Sequence, residues 1–243
     1  MFSCLFQLRS GIRRVGVAGL VVERIGKAGK IVEDKTFAER YTLFYGYPKR
    51  RVVTRTRLIY IDPPLIRGKA VQAATIVLHQ PVIVIVNAES RCITRDLVEE
   101  ALSSIELGEQ SIFLLVPYTS KSLEDAYTRA LDILKKFLPE ASMLPPHPSY
   151  SLIIGLRKHL NVEVETLWSY EHLAVFASII SGNKRIEVGS TKCVDNVPAI
   201  FSDQALRYAR SLAKSIINLA VKKGTLSKSR AEEALKAVEE ELH

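Results

Sequence analysis

Two short segments in the middle of the chain, residues 81–86 and 111–116, are almost uniformly apolar and aliphatic. A strand has this composition when both of its faces are buried, as in a parallel sheet covered by helices. Helical spacing of apolar residues appears between and after these segments, most clearly from Ser122 to the stop at Pro139. The alternation predicts an α/β fold, with a mostly parallel sheet flanked by helices.

The remaining elements of the α/β part follow from the same patterns. Helices are predicted over about 66–79 and after Thr94, which is a suitable N-cap. Further strands are predicted at 150–155, 162–168 and 184–189, and further helices at about 170–181 and 203–222. Gly224 ends the last of these, and Ser229 and Glu232 have capping-box spacing for a short final helix.

The N-terminal quarter is predicted to be rich in β-structure. Residues 15–25 form an apolar, β-branched run, and residues 26–29 (Gly-Lys-Ala-Gly) are predicted to be a turn before the strand resumes at 30–32. Residues 51–61 predict a long strand with Arg51, Arg55 and Arg57 on one face. These strands either extend the main sheet or form a separate small module.

Proline distribution suggests where the chain is divided. Four of its ten prolines lie within residues 139–149, which we interpret as a linker. The predicted organisation is a basic β-rich segment at 1–57, an α/β lobe at 58–138, the linker, and a smaller α/β lobe at 150–243 that ends in a helical hairpin.

The positive charge of the chain is concentrated near its start. The net charge is +8, and residues 1–57 hold thirteen basic and four acidic residues, a balance of +9. A localised basic patch attracts phosphates, and aromatic side chains among the cations can stack on unpaired bases. The main hypothesis is a non-catalytic protein associated with DNA or RNA, or a subunit of a nucleic-acid-processing complex. The predicted contact residues are Arg40, Tyr45, Tyr47, Lys49, Arg50, Arg51, Arg55 and Arg57.

Two other interpretations of this basic segment stay open. It could dock an acidic protein partner, the chain then acting as a scaffold subunit. It could also be an ordinary solvated strand face, with its aromatic side chains in the core and its arginines paired to acidic groups of the same chain.

A competing hypothesis concerns the carboxyl ends of the predicted strands, where open α/β sheets bind ligands. An enzyme acting on a nucleotide or a phosphorylated small molecule would use a pocket at this edge. Ordinary loop polarity and helix capping would explain the same residues without a ligand. The candidate pocket residues are Asp62, Asn87, Arg91, Thr119 and Lys121.

No catalytic residue, metal site, cofactor or membrane partner is predicted. The glycine motifs match neither a P-loop nor a dinucleotide fingerprint, and no apolar run reaches the roughly 18 residues of a membrane span. Cys4, Cys92 and Cys193 are too few and too scattered for a disulfide framework or a thiolate metal site. The cytoplasm is therefore the expected compartment, and the composition leans toward that of heat-adapted proteins.

One resemblance to a known family bears on the interpretation as a scaffold subunit. The stretch 58–64 (Leu-Ile-Tyr-Ile-Asp-Pro-Pro) before a helix, the linker, and a smaller unit containing 187–191 (Glu-Val-Gly-Ser-Thr) resemble the two-lobed layout of the RecJ-type DHH phosphoesterases. The Asp-His-His triplet and the glycine-rich histidine motif of that family are missing. The resemblance implies an inactive relative, of the kind that serves as an accessory protein of the archaeal replicative helicase.

Overall fold

A computed structural model describes residues 15–47, 54–62, 66–108, 110–183, 185–189, 192–197 and 200–243. Three of the predicted contact residues, Lys49, Arg50 and Arg51, lie outside the described residues.

The described strands form one twisted layer in the order β3-β2-β1-β4-β6-β5-β7, and β8 pairs with the carboxyl end of β5. Among them only β6 runs antiparallel to its neighbours. The predicted α/β fold with a mostly parallel sheet is confirmed, and the N-terminal strands extend the main sheet. The strands are β1 (Val15–Val21), β2 (Glu39–Phe44), β3 (Arg57–Tyr60), β4 (Val82–Asn87), β5 (Ile112–Thr119), β6 (Tyr150–Leu156), β7 (Ile186–Val188) and β8 (Asp195–Asn196).

Helices cover both faces of the sheet, which explains why its central strands are apolar along their whole length. One apolar core packs β-strands against α2, α4, α6, α7 and α8, and a second core packs the opposite face against α1 and α3. The helices are α1 (Gly29–Val32), α2 (Arg67–Val77), α3 (Arg95–Glu106), α4 (Lys121–Phe137), α5 (Arg157–Leu160), α6 (Tyr170–Ile180), α7 (Ser202–Lys222) and α8 (Lys228–Glu241), with a 3₁₀ turn at Pro139–Met143.

Several helix ends follow the expected chemistry. The Thr94 hydroxyl accepts a hydrogen bond from the N–H of Leu97, and Gly224 adopts a positive φ of 74° just after α7. The predicted capping box was placed two residues too far toward the C-terminus. Ser227, not Ser229, is the N-cap of α8, and its hydroxyl accepts from the N–H of Arg230.

Two predicted strands are absent from the described residues. Residues 162–168 form an irregular connection, because side chains of α6 and α7 satisfy its backbone: the Tyr170 hydroxyl bonds Val162, and Ser211 accepts from the N–H of Leu167. Residues 30–32 belong to α1, where Val32 packs against Gly19 of β1 at a distance that leaves no room for a Cβ.

The residues on both sides of the Pro-rich segment build one sheet. β6 comes from the predicted smaller lobe, yet it lies between β4 and β5 of the predicted larger lobe. That residues 139–149 separate two folding units stays a prediction. None of the helices in the described part of the chain has both the length and the apolar character that crossing a membrane requires.

Candidate ligand-binding cleft

A cleft of about 530 Å³ opens at the carboxyl edge of the sheet. It lies between the loops that leave β1 and β4. The strand order reverses there, since β2 and β3 lie on one side of β1 while β4 lies on the other. Neighbouring loops diverge at such a point, and open α/β sheets bind ligands there. We call this the strand-end cleft, and its lining residues are Glu23, Arg24, Ile25, Gly26, Lys27, Glu89, Arg91, Asn196 and Val197.

A glycine allows the two loops to approach each other. The N–H of Gly26 donates to the carbonyl of Ala88 at 2.8 Å, and a Cβ at Gly26 would lie 2.8 Å from the carbonyl oxygen of Glu89. Residues 26–29 therefore do connect a strand to a helix, and the prediction of a turn between two strands was wrong. The error came from α1, which is only one turn long and has too few residues to show helical spacing.

Glu89 holds the loop after β1 in place. Its Oε1 accepts the N–H groups of Glu23 at 2.6 Å and of Arg24 at 2.8 Å. Asn87, at the end of β4, orients Glu89 in turn, because its Oδ1 accepts the N–H of Glu89 at 3.1 Å and its amide nitrogen lies 3.4 Å from Ser151 Oγ. Glu89 and Asn87 therefore fix the position of the loop after β1 relative to the end of β4.

A disulfide closes the other side of the cleft. Cys92, in the loop after β4, is bonded to Cys193, just before β8, and the two Cα atoms are 5.6 Å apart. Asp195 is buried next to this link, and its Oδ1 lies 3.4 Å from the backbone nitrogen of Arg91. The expectation that the scattered cysteines form no disulfide was therefore wrong, because a separation of 101 residues carries no local signal of pairing.

The five predicted pocket residues are not all brought together. Arg91 lines the strand-end cleft, Asn87 lies beneath it, and Thr119 pairs with Asn196 in the β5–β8 register. Asp62 follows the edge strand β3, and Lys121 begins α4; both are exposed outside the cleft lining. Arg24 and Lys27 also line the cleft but were not predicted, although the glycine-containing loop after the first strand could have indicated them.

The five predicted basic and aromatic contact residues that the structure describes do not form one exposed surface. Arg40 donates to the carbonyl of Glu33, and Arg57 donates to the Tyr41 hydroxyl and lies over that ring. Tyr45 is buried, and burial raises its pKa well above the ordinary value. Arg55 and Tyr47 are exposed, and within the described residues 54–62 the strand expected to align the arginines comprises only β3, which starts at Arg57.

A buried ion pair ties α2 to β6 and α6 below the sheet edge. Arg67 and Glu171 are 2% and 0% exposed, and the Arg67 Nη1 lies 2.9 and 2.8 Å from the two carboxylate oxygens. The Arg67 Nη2 donates to the carbonyl of Tyr150, whose N–H donates to Glu171. Burial lowers the pKa of Arg67, but the charge and hydrogen bonds of Glu171 outweigh it, so that pKa is raised. Both carboxylate oxygens of Glu171 are hydrogen-bonded, and the pair connects α2 to β6 and α6.

Two further titratable groups lie in this cluster. Burial raises the pKa of Tyr118 to about 12, so its hydroxyl stays protonated at neutral pH. Burial also lowers the pKa of His172 to about 4. The ring Nε2 of His172 lies 2.8 Å from the carbonyl of His147, and Nδ1 has no hydrogen-bond partner among the described atoms.

His172 makes the stability of the protein depend on pH. Below its ordinary pKa of 6.5, the unfolded chain binds a proton that the folded protein does not bind until about pH 4. Stability therefore falls as the pH is lowered through this window, by roughly 3 kcal/mol from this group, and the loss levels off below it. Urea unfolding at several pH values between 6.5 and 4 measures the slope of the free energy of unfolding against pH.

The variant His172→Gln keeps a side-chain donor for the carbonyl of His147 but does not titrate. We expect a shallower slope for it than for the wild type between pH 6.5 and 4. His243→Gln is the matched control, because the His243 side chain is exposed and forms no ion pair with the described residues. Equal slopes in wild type and His172→Gln would contradict the conclusion that His172 makes stability depend on pH.

The sheet order, the layers of helices and the cleft define a class of fold. The chain has a mixed α/β architecture like the glycosyltransferase-A fold. Structures of glucosyl-3-phosphoglycerate synthase from Mycobacterium tuberculosis are similar to it. The complex with Mn²⁺, UDP and glucosyl-3-phosphoglycerate has a TM-score of 0.63 and 12% identity, and the match covers 92% of this chain and 85% of that one.

Two further complexes of that enzyme give the same result. The complex with Mn²⁺ and UDP-glucose has a TM-score of 0.64 at 12% identity, covering 88% of this chain and 82% of that one. The complex with phosphoglyceric acid has a TM-score of 0.60 at 12% identity, covering 93% and 85%. No known family profile matches the chain, and no curated protein matches it in sequence.

These findings correct the main functional hypothesis. The similar structures bind UDP, UDP-glucose and phosphoglyceric acid, which are small molecules, so the prediction of a nucleic-acid-associated protein was wrong. The expected partners, nucleic acid or an acidic protein, were wrong on the same ground. The role that the resemblance to the DHH phosphoesterases implied, as an accessory protein in replication, is not supported by these findings either. The competing hypothesis, an enzyme acting on a nucleotide or a phosphorylated small molecule, agrees better with the findings.

Proposed function

We propose that this chain binds a nucleotide sugar in the strand-end cleft and transfers its sugar to a phosphorylated acceptor. The observation that carries the proposal is the position of Arg24, Lys27 and Arg91 around the cleft, at the reversal of strand order. A diphosphate is the part of a nucleotide sugar that such a cleft would recognise. The similar structures support the same class of ligand, since they hold UDP or UDP-glucose.

The electrostatics of the cleft favour an anion. The side chains of Arg24, Lys27 and Arg91 are exposed, and within the described part of the chain they form no ion pair. Two acidic residues, Glu23 and Glu89, also line the cleft, but one carboxylate oxygen of Glu89 already accepts two backbone N–H groups. Three exposed cations against these two acids give a positive surface at the mouth of the cleft.

The same cations would assist the chemistry. In glycosyl transfer the bond between the anomeric carbon and the diphosphate oxygen breaks, and negative charge grows on the leaving diphosphate. Cationic donors placed where that charge develops lower the barrier. Arg24 and Arg91 would bind and orient the diphosphate of the donor and stabilise it as it leaves.

We also propose the cytoplasm as the compartment. A disulfide is rare there in proteins of mesophiles, but intracellular proteins of hyperthermophiles are rich in disulfides. The sparse cysteine and methionine content agrees with heat adaptation.

Calorimetric titration tests the binding. We expect UDP and UDP-glucose to bind, uridine to bind much more weakly, and Arg91→Ala to lower the affinity for UDP by about tenfold or more, because a charge-assisted hydrogen bond is lost. Arg129→Ala is the matched control, since Arg129 is exposed on α4 away from the cleft. Equal affinity for UDP and uridine, or an unchanged affinity in Arg91→Ala, would contradict the proposal.

Release of UDP from UDP-glucose tests the transfer itself. The assay is run with and without phosphoglycerate as the acceptor. Release that rises with phosphoglycerate, and that falls in Arg91→Ala but not in Arg129→Ala, is the expected result. Release independent of every phosphorylated acceptor tried would limit the function to binding or hydrolysis of the donor.

A further inference from the structure

Most of the oxygen atoms that could hold a divalent cation at the strand-end cleft already accept hydrogen bonds from the protein's own loops. Glu89 uses one carboxylate oxygen to accept two backbone N–H groups, and Asn87 uses its amide oxygen to accept a third. Asp195 is buried beside the cleft, where its Oδ1 faces the backbone nitrogen of Arg91 and its Oδ2 has no hydrogen-bond partner among the described atoms. That single buried oxygen is too few ligands for a divalent cation, and turning Glu89 Oε1 or Asn87 Oδ1 toward an ion would break the contacts that shape the cleft.

The donor set therefore fits a divalent cation poorly. Mg²⁺ and related hard ions need several oxygen ligands in a near-octahedral arrangement, supplied by carboxylates, substrate phosphates and water. Across the described ranges, no three His, Cys, Asp or Glu side chains converge in a way that could hold a metal ion. Some of the similar structures, in contrast, hold Mn²⁺ or Mg²⁺ together with UDP. This chain keeps their fold without an arrangement of ligands suited to that ion.

Cationic side chains occupy the walls where a metal ion would otherwise neutralise phosphate. Arg24 and Lys27 belong to the loop after β1, and Arg91 belongs to the loop after β4, so cations stand on both sides of the cleft. Backbone contacts hold these two loops together: Gly26 donates to the carbonyl of Ala88, and the N–H groups of Glu23 and Arg24 donate to Glu89. Guanidinium groups bind phosphate oxygens in a bidentate geometry, which suits them to this task.

We propose that the strand-end cleft binds the diphosphate of its nucleotide without a divalent cation, and that Arg24, Lys27 and Arg91 supply the positive charge. The inference rests on the proposed function, because it presupposes a nucleotide in this cleft. It adds that the site recognises the metal-free diphosphate.

Titration of UDP in excess EDTA and again in saturating Mn²⁺ tests the inference. We expect the two dissociation constants to agree within about threefold, since the protein offers the ion no suitable ligands. In EDTA, Arg24→Ala and Arg91→Ala should each weaken binding by about tenfold or more, and added Mn²⁺ should not restore it. Arg91→Lys keeps the charge but loses the bidentate contact, so its affinity should lie between those of Arg91→Ala and the wild type, whereas Arg129→Ala should match the wild type.

The possible results separate this inference from the proposed function. Tight binding of UDP in Mn²⁺ with little or none in EDTA would overturn the inference and leave the proposed function standing. Absence of UDP binding in both buffers would overturn both. Restoration of Arg91→Ala to wild-type affinity by Mn²⁺ would also overturn the inference, since the ion would then be bound at the site.

Discussion

Replacing Arg67 with methionine is expected to lower the free energy of unfolding by about 3–5 kcal/mol, because it leaves the carboxylate of Glu171 buried without its counter-ion. Glu171 would keep only the N–H of Tyr150 as a hydrogen-bond donor among its present partners. The carbonyl of Tyr150 would lose the Arg67 donor at the same time. Urea unfolding at neutral pH measures the loss.

A double variant separates the missing charge from the missing packing. Arg67→Met combined with Glu171→Leu removes both charges, and replacing a whole buried pair with apolar residues is often close to neutral. We expect the double variant to be more stable than Arg67→Met alone. Lys136→Met is the control, since the Lys136–Glu241 pair is about half exposed and such pairs contribute less than about 1 kcal/mol. A single variant as stable as Lys136→Met would contradict the role assigned to the buried pair.

The sequence signals that predicted the fold were local ones. β4 and β5 were recognisable because each is an apolar run of a length that suits a strand, and α4 because its spacing and its stop at Pro139 lie within one segment. The place of β6 was not predictable in this way. Its residues show that it is a buried strand, but its antiparallel position between β4 and β5 depends on pairing with strands far away in the chain.

The candidate site was predicted only in part, for the same reason. Arg91 and Asn87 were proposed because ligands bind at the ends of parallel strands, a rule that needs only the end of β4. Arg24 and Lys27 join them through the register of β1 on β4, in which Leu20 lies opposite Asn87. That register places the loop after β1 beside Glu89. No local sequence pattern predicts the register. The excess of positive charge was real, but the sequence could not show which cations share one cleft.

Breaking the Cys92–Cys193 disulfide is expected to lower the free energy of unfolding by about 4–5 kcal/mol, because it closes a loop of 101 residues and so restricts the unfolded chain. Cys92→Ser, Cys193→Ser and chemical reduction should give similar losses in urea unfolding, while reduction should leave the stability of Cys92→Ser unchanged. Thiol titration of the denatured protein should find two more thiols after reduction than before it. Equal thiol counts before and after reduction, or an unfolding curve for Cys92→Ser that coincides with that of the wild type, would show that the bond does not form. Because the bond joins the loop of Arg91 to that of Asn196, its loss should also weaken UDP binding at temperatures where the protein remains folded.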